Sequence, residues 1–146
     1  MKSVNLPVLL AFTFLWIGFV CAISFMESWI KFRAPGITLP LGLGIGRLVF
    51  AALNRVEWII LLAMAVTIFV SKMQVYQVRF TALLLAGLLL IVQTIWLLPE
   101  LDARAELHIN NIPVPPSGLH FWFAGLEVIK VAALFIFGVL LIKSNN

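Results

Sequence analysis

Carboxylate, amide, imidazole and ammonium side chains recur along this sequence at spacings that place them on single helical faces. Residues three, four, seven or eleven positions apart lie on the same side of an α-helix. Four polar stripes follow in chain order: Thr13, Ser24, Glu27 and Lys31; Arg47, Asn54 and Glu57; Gln93 and Glu100; and His120, Glu127 and Lys130. Side chains of these types bind protons, cations and small polar ligands when they converge within a helical bundle.

The segments that carry the stripes are apolar enough to cross a membrane. The chain of 146 residues is 63% hydrophobic and 11% charged, with a mean hydropathy of +1.12. Soluble domains are about 25% charged, and a spanning helix needs about 20 apolar residues. Four stretches meet this need, at about 6–32, 43–70, 81–98 and 119–142. We therefore predict an all-α, single-domain, integral membrane four-helix bundle surrounded by lipid bilayer.

Charge predicts how the bundle is oriented. All six acidic residues and both histidines fall at one end of the predicted spans, whereas the other end carries only Lys2, Lys72, Arg79 and Lys143. Short loops rich in Lys and Arg favour the cytoplasm. Both termini are therefore expected to be cytoplasmic, in a bacterial inner membrane, although six basic residues at the opposite end weigh against this orientation. The net charge of +4 reflects orientation and does not indicate a nucleic-acid partner.

Helical rise sets the depth of the polar groups. Glu57, Glu127 and Lys130 stand about 20 to 24 Å above the inner boundary of a hydrocarbon core about 30 Å thick. Because lipid offers polar groups no partners, the stripes should face one another. We predict a polar cavity in the outer half of the bundle, closed beneath by apolar side chains such as Phe14, Met64, Leu88 and Phe135.

The predicted ligand-binding residues form two levels. The deep level comprises Glu57, Glu127, Lys130, Asn54 and Gln93, and the mouth comprises Glu27, Glu100 and His120. The expected occupant is a cation, a proton or a small polar ligand, in a binding or transport role. A purely structural interpretation is also open, because Glu127 with Lys130 and Glu27 with Lys31 stand at ion-pair spacings. Glu57, Glu100 and His120 are then left without an obvious local partner, although Arg33, Arg47 or Arg55 could supply one.

A divalent metal ion is a less favoured occupant, and no cofactor is indicated. Glu57, Glu127 and His120 are the candidate ligands, since carboxylate and imidazole suit zinc, manganese or iron. However, His120 and Glu127 lie about 10.5 Å apart along one helix, so both cannot bind one ion. The Glu-x-x-His pair of di-metal bundles is also missing from the sequence.

Two other classes of function remain open. An accessory subunit could dock a larger membrane complex through the close-packing pair Gly42 and Gly46. A membrane enzyme is the third possibility, although no catalytic residue is indicated. Four spans are few for a transporter acting alone, so a transport role implies a homo-oligomer.

Three short motifs resemble those of a four-span family. They are Ala34-Pro35, the Gly-Arg-Leu-Val-Phe run from Gly46 to Phe50, and Leu119-His120. The family consists mostly of uncharacterised bacterial membrane proteins and has a human relative linked to cisplatin resistance. The resemblance implies a four-helix integral membrane fold and carries no established activity. Only His120 matches a polar position of the family pattern.

Overall fold

The computed structural model describes residues 5–71 and 77–143, and these form four long helices. Helix α1 consists of Asn5–Val20, a π-helical segment Cys21–Glu27, Ser28–Ile30 and a 3-10 turn Lys31–Arg33. Helix α2 is Leu39–Val70, and helix α4 is Leu119–Lys143. Helix α3 consists of Gln77–Val92, a π-helical segment Gln93–Leu97 and Leu98–Ile109. Each helix is long and apolar enough to cross a membrane. The prediction of an all-helical chain with four such helices is confirmed over these residues.

The structure does not describe three of the four basic side chains on which the predicted orientation depends. Lys2 and Lys72 lie outside the described residues, and the side chain of Arg79 is likewise not described. The two ends of the bundle are therefore named here by what they contain. The end with connections 34–38 and 110–118, which carries Glu27, Glu100, Asp102 and Glu106, is called the acidic end. The half of the bundle that contains the first residues of α1 and the last of α4 is called the terminal half.

Local chemistry explains where the first connection falls. The residue before Pro35, Ala34, is extended with ψ 135°, which ends α1 because a proline disfavours helical backbone before it. Gly36 then turns the chain with φ +82°. Thr38 caps α2 by accepting a hydrogen bond from the Leu41 amide at 3.4 Å. The helix thus begins at Leu39, four residues before the predicted boundary.

The third helix is longer than its predicted span. It continues through Leu98–Ile109, eleven residues beyond the predicted end of the span at residue 98. Pro99 cannot donate to the preceding turn, and the π-helical segment just before it relaxes the hydrogen-bond pattern at that point. Asn111, with φ 57°, follows in the left-handed conformation that terminates helices.

The third helix changes neighbours along its length. Its first part, Gln77–Val92, packs against α4, whereas Leu98–Ile109 packs mainly against α2. Meanwhile α1 packs against both α2 and α4. The change of partner coincides with the π-helical segment Gln93–Leu97. Because α3 leaves α4 there, these two helices are farther apart at the acidic end.

The terminal half is filled by apolar side chains. The buried cluster comprises Leu9, Trp16, Val20, Ile60, Met64, Leu83, Ala86, Leu90, Leu134, Phe137 and Leu141. An apolar floor was predicted, but only Met64 of the four named side chains belongs to it. Phe14, Leu88 and Phe135 are 44%, 58% and 55% exposed. The inward face of α1 passes through Thr13 and Trp16, and Phe14 is rotated about 100° from Thr13, toward the outside.

The glycines of α2 pack inside the bundle. A Cβ atom on Gly42 would overlap the Phe32 ring, and one on Gly46 would lie 3.1 Å from Lys31 Nζ. One on Gly44 would lie 3.9 Å from Ile109 Cδ1. These glycines let α1 and α3 approach α2, so the face expected to dock a partner is covered by the chain itself.

Met64→Ala should lower the free energy of unfolding by about 2 to 5 kcal/mol, because it leaves a cavity in the floor. Leu62→Ala, on the same helix at a side chain 65% exposed, is the matched control and should have little effect. Denaturant titration in mixed micelles measures both. Equal losses would contradict the assignment of Met64 to the core.

Candidate functional site

Five polar side chains, at least one from each helix, meet at the top of the apolar floor. They are Trp16 from α1, Glu57 from α2, Gln93 from α3, and Glu127 and Lys130 from α4, and none is more than 2% exposed. We call this group the Lys130 layer. The deep level predicted from helical spacing is therefore assembled in the structure, apart from Asn54.

The ammonium of Lys130 lies at the centre of the layer. Its Nζ donates to Gln93 Oε1 at 2.7 Å, forms an ion pair with Glu57 Oε1, and lies 3.2 to 3.3 Å from the two oxygens of Glu127. The outer members are joined in turn. Trp16 Nε1 donates to Glu57 Oε1 at 2.7 Å, and Gln93 Nε2 donates to Glu127 Oε1 at 3.1 Å. One network thus links all four helices.

The formal charges of the layer do not cancel. Two carboxylates surround one ammonium, which leaves one negative charge in excess if both glutamates are ionised. An uncompensated charge in an apolar interior costs several kcal/mol. One proton on either carboxyl group would make the layer neutral. The ammonium already occupies the space between the carboxylates, where a metal cation would otherwise sit.

Both π-helical segments lie next to the layer. Gln93 is the first residue of the segment in α3, and Ser24 and Glu27 lie in the segment of α1. A π turn changes the direction of the residues that follow it and is frequent at functional sites. In α3 it leaves both Gln93 and Leu97 buried, so this helix can face the layer and still turn toward α2 above it.

A cleft of about 680 Å³ opens above the layer, between the four helices at the acidic end. Its walls are mainly apolar. Phe50 and Phe123 pack edge to face there with ring centroids 5.3 Å apart. Phe123 stands one helical turn from Glu127, and Asn54 one turn from Glu57. The cleft floor and the layer are thus about one turn apart.

Most charged groups around the cleft are paired. Lys31 Nζ lies 3.0 Å from Glu27 Oε2. Arg47 binds both oxygens of Asp102 at 2.5 and 2.8 Å and contacts Glu106 at 3.3 Å. Arg55 also lines the cleft but has no acidic partner among the described residues.

Amide and hydroxyl groups tie α2 to α3 beside the cleft. Asn54 Nδ2 and Trp58 Nε1 donate to Thr94 Oγ1 at 2.8 and 3.0 Å, and Thr94 donates to the Leu90 carbonyl. The Thr94 hydroxyl is therefore fully used, whereas none of the described residues donates a hydrogen bond to the side-chain carbonyl of Asn54. That oxygen is an acceptor for a ligand in the cleft.

The remaining predicted residues are spread along the mouth. His120 lines the cleft and is exposed, and Glu27 lies at its edge through Lys31. Glu100 is exposed and does not line the cleft. The two ion pairs of the structural interpretation, Glu27–Lys31 and Glu127–Lys130, are both present. Trp16 was not foreseen as a member of the layer, because its indole N–H gives no signal in an apolar stripe.

The described residues contain no cluster of metal-binding side chains. Within residues 5–71 and 77–143, no three His, Cys, Asp or Glu side chains lie close enough to hold one ion. His120 lies in the cleft, two turns along α4 from Glu127.

Comparison of the chain with family models, with curated proteins and with solved structures gave no match. The resemblance to the four-span family therefore stays a prediction.

Lys130→Met should lower the free energy of unfolding by about 3 to 5 kcal/mol, because it leaves buried carboxyl groups without their cation. Adding Glu57→Gln should restore part of that loss. Lys143→Met, at an exposed position in the last turn of the same helix, is the control. A Lys130→Met protein as stable as its parent would show that the layer is not an ion-paired unit.

Proposed function

We propose that this chain is a multi-pass membrane protein that binds a proton in the Lys130 layer and a small ligand in the cleft above it. In this proposal both termini are cytoplasmic, in a bacterial inner membrane, and the acidic end faces outside. The four apolar helices and the lysines of the termini and the second connection support that placement. The observation that carries the proposal is the excess of one carboxylate in a layer excluded from solvent.

A proton fits the layer better than a metal cation does. Lys130 already contacts Glu57, Gln93 and Glu127, so the layer has no cation position left between them. A proton needs no space, and it removes the excess charge. Either glutamate can hold it, since both contact the same ammonium. The proton is thus expected to be shared by the pair.

The cleft supports a ligand with one acidic group and an apolar body. Arg55 is the cation that lines it without an acidic partner among the described residues, and it can bind a carboxylate or phosphate. The Asn54 carbonyl and His120 add polar contacts. Phe32, Phe50 and Phe123 offer an apolar surface for the rest of the ligand. Small amphipathic anions have this composition.

The apolar floor favours binding from the acidic end over transport through the bundle. Met64, Leu90, Leu134 and Phe137 are fully buried beneath the layer, so a ligand or proton reaches it from the acidic end. Transport would require these side chains to separate. The accessory role through the glycine face has no support, since Gly42 and Gly46 contact α1.

Proton binding can be followed through Trp16, whose indole donates to Glu57. We expect the tryptophan emission of the chain in lipid nanodiscs to change with pH, and this change to vanish in Trp16→Phe. Glu57→Gln and Glu127→Gln each balance the charge of the layer without a proton, so each should abolish the titration. Glu100→Gln, at an exposed carboxylate, should retain it. A titration that survives in both layer variants would rule out the proton site.

Decanoate is a suitable probe for the cleft. Its carboxylate should contact Arg55, so Arg55→Gln should weaken binding about tenfold, the effect of losing one charge-assisted hydrogen bond. Arg33→Gln is the control, because Arg33 lies over the Trp29 ring, 4.5 Å away, and does not line the cleft. Isothermal titration in nanodiscs measures both. Equal affinity for decanoate and decanol would contradict an acidic ligand.

A further inference from the structure

Three side-chain oxygens in the described part of the chain are inaccessible to solvent and take part in no hydrogen bond. They are Ser24 Oγ, Glu27 Oε1 and Glu127 Oε2. The last lies 3.2 Å from Lys130 Nζ, within ion-pair distance but outside hydrogen-bond geometry. A buried oxygen left unsatisfied costs about 1 to 3 kcal/mol, so Ser24 Oγ and Glu27 Oε1, which have no ion-pair partner either, call for an explanation.

Two of the three oxygens belong to the same π-helical segment, Cys21–Glu27. Ser24 is 8% exposed and continues the inward face of α1 that runs through Thr13, Trp16 and Val20. It forms no bond to the preceding turn, unlike Thr13, whose hydroxyl donates to the Leu9 carbonyl at 2.7 Å. The Ser24 hydroxyl is therefore free to bond across the bundle.

The helix register places Ser24 opposite Glu127. A Cβ on Gly138 of α4 would lie 3.5 Å from Thr13 Cγ2 of α1, so these residues are at one height. The two helices run in opposite directions with the same rise per residue. Eleven residues forward along α1 lead to Ser24, and eleven back along α4 lead to Glu127. Both side chains are buried at this height, on helices that contact each other.

Glu27 connects this region to the cleft. Its Oε2 pairs with Lys31, which lines the cleft, whereas its Oε1 is shielded from solvent. The carboxylate thus lies beside the cleft, with Oε2 paired to the cleft-lining Lys31 and Oε1 shielded from solvent. Ser24 lies three residues below it on the same segment.

We propose that Glu27 and Ser24 form the access route by which a proton reaches the Lys130 layer from the cleft. Glu27 takes a proton from solvent at the mouth. The proton passes to the Ser24 oxygen as the hydroxyl releases its own proton inward, and Glu127 Oε2 receives that one. The transfer requires water between these groups, which buried polar groups commonly bind. Glu27 returns to the carboxylate, so one proton moves from solvent to the layer.

The charged groups along the route come from three helices. Lys31 on α1 holds Glu27 at the mouth, Glu57 on α2 and Lys130 on α4 surround the acceptor Glu127, and α3 contributes the uncharged Gln93. Arg47 and His120 stand in the cleft above. Ser24 and Glu27 thus lie between the cleft and the acceptor Glu127.

This route rests on the proton site proposed above, and a kinetic experiment separates the two. The rate of the Trp16 emission change is measured by stopped-flow pH jump on the full chain in nanodiscs, beside the equilibrium titration. Ser24→Ala and Glu27→Gln should leave the titration midpoint in place and slow the relaxation roughly tenfold, equivalent to about 1.4 kcal/mol in the barrier. Ser24→Thr, which keeps a hydroxyl, should relax at the parental rate.

Ser28→Ala is the matched control, because Ser28 lines the cleft one turn from Ser24 and is not buried. It should relax at the parental rate. Parental rates in both Ser24→Ala and Glu27→Gln would overturn the route and leave the proton site standing. A midpoint that moves while the rate does not would also overturn it, since the residues would then belong to the site. A parent protein whose Trp16 emission does not respond to pH would overturn both proposals.

Discussion

A lysine ammonium excluded from water must be surrounded by oxygens, and the rest of this bundle is organised around that constraint. Lys130 is fully buried, and it is held by Glu57, Gln93 and Glu127 from three helices. Trp16 on the remaining helix, α1, completes the shell by donating a hydrogen bond to Glu57. Because an unpaired charge in an apolar interior costs several kcal/mol, each helix is fixed in rotation by the group it supplies.

This layer also divides the bundle into two halves of different character. Beneath it the helices pack through apolar side chains such as Met64, Leu90 and Phe137. Above it α3 leaves α4 for α2 and a cleft opens. There Arg47 pairs across helices with Asp102 and Glu106, and Lys31 pairs with Glu27 along α1. The two π-helical segments lie where the halves meet. The same features that let α3 turn therefore bring the interior within one helical turn of the cleft.

Hydropathy and helical spacing predicted the larger part of this arrangement. Runs of apolar residues indicated the four helices, and the i, i+3 and i, i+4 spacings indicated the Glu127–Lys130 and Glu27–Lys31 pairs. Depth along the helix placed Glu57 level with Lys130, because rise per residue does not depend on tertiary contacts. Spacing cannot give the rotation of one helix against another. For that reason Phe14, Leu88 and Phe135 were assigned to the floor, and the cleft-side pairing of Arg47 with Asp102 was missed. The π-helical segments and the helical Leu98–Ile109 depend on packing and on Pro99, which a periodicity analysis does not capture.

The protonation of the layer is measured most directly by solid-state NMR of the chain in lipid bilayers. Carbon-13 shifts of the Glu57 and Glu127 carboxyls and the nitrogen-15 shift of Lys130 report each group's charge, with assignments from the single Gln and Met variants. At neutral pH we expect one carboxylic acid, one carboxylate and one ammonium. Two carboxylates beside the ammonium, or a neutral amine at Lys130, would contradict a layer balanced by one shared proton.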